Sequence, residues 1–173
     1  MKLNAKELRV SEPTEEQLSK IKRKQIFIIL DNILDTYNIG SIFRLADAVA
    51  ARKVYLCGKT ETPPYHRISK AAVGTEKWVP WEHVKSAEEA IMRVRELESK
   101  RVKVIAVEQA EGSCDFRGAD LREPVAFVVG HETEGVSKEV LELCDEVVEI
   151  PMFGVNRSLN VMVSLAMILS KII

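Results

Sequence analysis

Runs of strand length that are apolar on both faces recur along this chain, separated by stretches of helical spacing. Residues 25–30 read QIFIIL, 102–107 VKVIAV and 125–129 VAFVV, with 53–57 and 146–150 as further candidates. A strand buried on both faces needs helices on each side of its sheet. The intervening segments supply them. Residues 38–50 place Ile39, Ile42, Phe43, Ala46 and Val49 at helical spacing. Residues 66–73 and 138–143 read as short helices. Ser86-Ala87-Glu88-Glu89 is a capping box opening a helix to about Ser99, and residues 158–173 end the chain as another. The expected fold is α/β, a mostly parallel sheet with helices on both faces. Residues 1–24 are charged and carry the helix start Thr14-Glu15-Glu16-Gln17. They are expected to form an N-terminal helical arm to a domain spanning 25–173.

Several classes of function are disfavoured. No apolar stretch is long enough to span a membrane, and the N-terminus has no apolar signal core, so a cytoplasmic protein is expected. Cys57, Cys114 and Cys144 are scattered and odd in number, which fits a reducing compartment. Neither they nor His66, His83 and His131 have metal-ligand spacing, so no metal is expected. G-x-G-x-x-G, the P-loop pattern and G-x-S-x-G are all missing, which lowers dehydrogenase, nucleotide-hydrolase and esterase readings. The formal net charge of −1 gives no general attraction for nucleic acid. Short basic runs exist at Lys20, Lys22, Arg23 and Lys24 and at Arg52, Lys53 and Lys59. Each reads equally as a solvated face.

Ligands of parallel sheets bind outside the carboxyl ends of the strands, so the residues just after each strand are the place to look. After the first strand comes Asn38-Ile39-Gly40, with Arg44 about one helical turn further on. Asn38 suits a helix N-cap, Gly40 a close approach, and Arg44 a phosphate. The alternative is a capped surface helix with an ordinary arginine. After residue 129 comes Gly130-His131-Glu132-Thr133-Glu134-Gly135, in which Glu132 suits anchoring an arginine or a ligand and His131 reads more as a structural group. After residue 150, Pro151 ends the strand and Ser158 and Asn160 lead into the last helix, as caps or as a wall whose backbone holds a ring. That last helix is apolar almost all round, so it needs burial in the core or against a second subunit.

Three ordered motifs carry a resemblance: NIGSIFRLA at 38–46, FVVGHETEGVS at 127–137 and IPMFGVNRSLNVMVS at 150–164. AAVGTEKWVPW at 71–81 adds to it. Together they resemble the SpoU/TrmH branch of the SPOUT RNA methyltransferases, from about residue 25 to the end. The resemblance implies a deep C-terminal trefoil knot, a rare exception to unthreaded topology. It implies S-adenosylmethionine held by Val107, Gly130, Ile150, Met152, Ser158, Leu159 and Asn160. It implies a homodimer through the last helix, and methyl transfer to a ribose 2′-hydroxyl of tRNA or, next, rRNA. Where the family often carries G-N-E-G-x-G, this chain has His131 and Thr133.

On that reading Arg44 holds a phosphate and stabilises the developing alkoxide, since a guanidinium with a pKa above about 12 is a poor base. Asn38 orients the ribose or Arg44. Glu132 braces Arg44 or a neighbouring donor. Ser158 and Asn160 shape the site from the opposite side. Two alternatives stay open: a non-catalytic RNA-binding or assembly protein on the same fold, and a dehydrogenase.

Overall fold

Ile28 and Phe127 stand side by side in adjacent parallel strands, both fully buried. They mark the centre of the sheet. In the computed structural model, which describes residues 2–97 and 102–172, seven strands all pair in parallel. They are β1 (Ile26–Asp31), β2 (Lys53–Cys57), β3 (Trp81–Val84), β4 (Lys103–Val107), β5 (Cys114–Asp115), β6 (Val125–Gly130) and β7 (Glu146–Glu149), in the order β3-β2-β1-β6-β4-β7-β5. The helices are α1 (Ala5–Val10), α2 (Glu15–Ser19), α3 (Thr36–Ala48), α4 (His66–Ala72), α5 (Ala87–Leu97), α6 (Lys138–Leu143) and α7 (Val161–Ser170).

Strand side chains alternate between faces, which explains the double-sided apolar runs. Ile26, Ile28 and Leu30 of β1 face Ile42 and Phe43 of α3, Ile68 of α4 and Leu165 and Ile168 of α7. Phe27 and Ile29 face Ile91 and Val94 of α5 and Val140 of α6. Gly40 lets α3 and α4 touch: a Cβ there would lie 2.5 Å from the Ile68 carbonyl oxygen and 2.8 Å from the Ala72 nitrogen. The glycine thus serves helix packing rather than a ligand.

Several boundaries differ from the sequence reading, each for a local reason. Asn38 is not the N-cap of α3. Asp35 is, its carboxylate accepting from the Tyr37 amide at 2.8 Å, and the helix starts two residues early. Asn160, not Ser158, caps α7, accepting from the Met162 amide at 2.9 Å. β3 carries Glu82 and His83 at its centre, which hides a strand in the sequence. β5 is too short to announce itself. The residue Ser99, where the fifth helix was expected to end, and the chain's last residue, Ile173, lie outside the described residues. Three of the four cations in the basic run near residue 20 are used within the fold. Lys20 pairs with Glu16, Arg23 donates to the Ala51 and Trp78 carbonyls, and Lys24 to that of Ile172.

Candidate active site

The strand order turns back between β1 and β6, and crevices at such points open at the carboxyl ends of the strands. Here a cavity of about 450 Å3 lies beyond β4, β6 and β7. Val107, Gly130 and Ile150 line it from the strand ends, and Met152, Ser158, Leu159 and Asn160 from the loop before α7. All seven residues that the resemblance assigns to a cofactor thus border one space. A second, larger cavity of about 780 Å3 lies away from the strand ends, between the N-terminal helices and the end of α3, against Leu8, Ile21 and Trp78.

Two glycines bring the walls together. A Cβ on Gly130 would fall 2.2 Å from the Gly135 carbonyl carbon and the Val136 nitrogen. Gly135 has φ +72°, and a Cβ there would meet the Glu108 carboxylate at 2.3 Å. Glu108 itself accepts from the Val136 amide at 2.9 Å and the Gln109 amide at 2.8 Å. It borders the cavity, and so does Asn156, whose side chain accepts from the Ser158 amide at 3.2 Å. The sequence reading gave neither a role. Only the position of Glu108, directly after a strand, marked it.

His131 takes up the role of a turn residue. Its Nδ1 accepts from the amides of Thr133 at 3.1 Å and Glu134 at 3.2 Å, while its backbone exchanges two hydrogen bonds with Gly135. Asx side chains close turns in this way. The loop so fixed aims Glu132 at the start of α3. Its carboxylate accepts from the Asp35 amide at 2.9 Å, the Leu34 amide at 3.2 Å and Asn38 Nδ2 at 3.1 Å. Partial burial disfavours the charge of Glu132, but these hydrogen bonds outweigh it and hold its pKa below the usual value. Asn38, only 2 % exposed, in turn accepts from Asn160 Nδ2 at 3.0 Å. Glu132, Asn38 and Asn160, drawn from three motifs, therefore form one relay across the cavity wall. Glu132 braces the loop after β1 and Asn38, not Arg44.

Arg44 stands apart. It is exposed on α3 and does not border the cavity. It lies six residues after Asn38, about 9 Å along the helix and about 120° around it. Its guanidinium has no hydrogen-bond or ion-pair partner among the described residues.

Sheet, crevice and relay define a class: a parallel α/β protein with a crevice of small-ligand size at the carboxyl ends of its strands. The chain belongs to the SpoU rRNA Methylase family, whose profile matches residues 25–170. It is 30 % identical over 155 residues to a tRNA (guanosine(18)-2′-O)-methyltransferase of Aquifex aeolicus (strain VF5), covering 86 % of this chain and 68 % of that protein. It is 32 % identical over 157 residues to the 23S rRNA (guanosine-2′-O-)-methyltransferase RlmB of Neisseria meningitidis serogroup B (strain ATCC BAA-335 / MC58), covering 91 % and 61 %. The SpoU methyltransferase AviRb from Streptomyces viridochromogenes, solved in complex with the cofactor AdoMet, superposes with a TM-score of 0.77 at 28 % identity, over 88 % of this chain and 61 % of that one. The chain thus spans roughly three fifths to two thirds of the length of these relatives.

Proposed function

We propose that this chain transfers a methyl group from S-adenosylmethionine to a ribose 2′-hydroxyl of structured RNA, tRNA first and rRNA second. The observation that carries the reading is the convergence of Glu132, Asn38 and Asn160 beside the cavity beyond β4, β6 and β7. The cavity fits the cofactor. Its volume lies within the usual range for small-ligand sites, about 300–1,000 Å3. Its lining mixes aliphatic surface from Val107, Ile150, Met152 and Leu159 with the polar side chains of Gln109, Asn156 and Ser158. The bound cofactor supplies an activated methyl group on a sulfonium.

The chain's own residues do the rest. The Gly130 and Gly135 backbone and the loop before α7 hold the donor and exclude water from it. The relay fixes Asn38, which in turn positions Glu132 and Asn160 at the cavity wall. Ser158 and Asn160 set the wall facing the sugar. Arg44 binds the phosphate beside the target ribose and offsets charge as the 2′-oxygen loses its proton, an electrostatic contribution preorganised by α3.

Arg44 lies off the cavity in one chain, so the site needs a second copy or the RNA to bring the two together. Both fit the exposed apolar residues nearby. Val163 and Met167 of α7 are 38 % and 37 % exposed, and Tyr37 of α3 is 64 % exposed. We place a homodimer interface on this face, and a trefoil knot in the segment leading into α7. Residues 1–24 act as an arm that packs near Trp78. The protein works in the cytoplasm. Among the described residues no helix is long and apolar enough to cross a membrane, and no group of metal-binding side chains is present.

The test is Arg44→Ala. Turnover on RNA is expected to fall at least about a hundredfold, the loss typical of a key electrostatic group, with donor affinity retained. Wild-type turnover in the purified variant overturns the assignment.

A further inference from the structure

α4 carries cations that the fold does not use. Ile68, Ala71 and Ala72 are buried against α3, which leaves His66, Arg67 and Lys70 exposed on the outer face. Arg67 and Lys70 are one turn apart, with Cβ atoms about 5–6 Å from each other, where like charges oppose a helix. Arg67 also stands in the first turn, where the helix dipole disfavours a cation. Neither has a hydrogen-bond or ion-pair partner among the described residues. The acids nearest in sequence do not serve them. Glu61 turns onto the Thr62 amide at 3.3 Å, and Glu76 is 5 % exposed. Cations near the opposite layer behave otherwise: Arg93 pairs with Glu82 and Glu89, Arg95 with Asp145, and Lys103 with Glu146.

Position gives the unused charge a direction. α3 lies between α7 and α4, and Gly40 brings α4 against it one turn before Arg44. Arg44 is unpaired as well. The proposed dimer is built on α7, whereas α4 packs chiefly on α3. Three unpaired cations on two adjoining helices then face solvent, in a chain whose net charge of −1 gives no general pull on a polyanion. A polyanion needs a local cluster of cations, and Arg67 and Lys70, exposed one turn apart on α4, supply its start.

We infer that the outer face of α4 is a docking surface for the RNA backbone, in which Arg67 and Lys70 contact phosphates on the strand leading to the nucleotide held at Arg44. The inference rests on the RNA reading above and extends it to a surface outside the cavity. These contacts position the RNA and carry no sequence information.

The experiment compares the full chain, Arg67→Glu/Lys70→Glu, and a control of equal charge change, Arg122→Glu/Lys138→Glu. Equilibrium binding to unmodified tRNA and rRNA transcripts is measured over a range of salt, and S-adenosylmethionine affinity is measured separately. The α4 pair is expected to weaken RNA binding about tenfold and to flatten the salt slope by about 2, one for each phosphate contact. Donor affinity should stay at the wild-type value, which also shows that the variant is folded. The control should match the wild type. The inference fails if the α4 pair binds RNA with wild-type affinity and slope, if the control is weakened equally, or if the wild type binds neither transcript. A wild type that binds RNA but transfers no methyl group sinks the proposed activity and leaves the binding comparison decisive for α4.

Discussion

At the scale of single residues, the relay makes distinctions that a list of conserved-looking positions does not. Asn160 does two things with two atoms: its Oδ1 caps α7 and its Nδ2 donates to Asn38. Asn160→Asp keeps an acceptor for the cap but sets a second oxygen against Asn38 Oδ1. Urea midpoints are therefore expected to fall modestly, as a buried acceptor loses its donor, while kcat falls at least about tenfold. Asn160→Ala should in addition lose the cap, about 1 kcal/mol. An aspartate variant with full activity would show that the Asn38 bond is idle. Glu132 gives a pH signature. Its carboxyl is held below its ordinary pKa in the fold. Its contribution is thus fully present above the unfolded value, about 4.3, and is lost as pH falls through the lower folded value. Wild type should be more stable than Glu132→Gln at pH 7, and the gap in urea midpoint should shrink as pH falls below the unfolded value and close below the folded one. A gap that stays constant would mean the charge is not what the three donors hold.

At the scale of elements, α3 is the part that reads two ways. Its N-terminal turn belongs to the relay and its middle to the α4 contact. In the sequence, Gly40 reads as room for another backbone or a ligand. In the fold it is room for the α4 backbone. Gly40→Ala gains helix propensity of about 1 kcal/mol, yet forces a methyl to within 2.5–2.8 Å of Ile68, Ala71 and Ala72. Overpacking of this kind typically costs about 1–3 kcal/mol, so a net loss in thermal or urea stability is expected. An unchanged or raised midpoint would show that α4 moves aside freely. The same element shows what was legible beforehand. Its apolar period was plain in Ile39, Ile42, Phe43 and Ala46, because burial repeats every turn. Its true cap was not, because Asp35 and Asn38 are both good caps and only the pull of Glu132 and Asn160 on the Asn38 side chain decides between them. β3 was hidden for a related reason: an edge strand with Glu82 and His83 lacks the apolar run that marks β1 and β6.

At the scale of the whole molecule, the cavity wall was legible because motif order carries it: the seven residues that the resemblance assigns to a cofactor border one cavity. The distance between that cavity and Arg44 was not, since sequence spacing along a helix does not say which face the ligand uses. The proposed second subunit would resolve it, and α7 is the place to test. Its inner side buries Leu165, Ile168 and Leu169, and its outer side shows Val163 and Met167. Val163→Glu/Met167→Lys leaves the inner side intact, so the variant is expected to fold, to sediment as a monomer and to lose methyl transfer. A fully active monomer would place Arg44 and the donor within one chain's reach.

The central claim is that the cavity and Arg44 serve one ribose oxygen. The most direct measurement is transfer of a labelled methyl group from S-adenosylmethionine to unmodified tRNA and rRNA transcripts, followed by nucleoside mapping. Label is expected as a 2′-O-methylnucleoside at a defined position, at a rate that Arg44→Ala lowers at least about a hundredfold. Label on a base, or on no nucleotide at all by a protein that binds the donor, would contradict it.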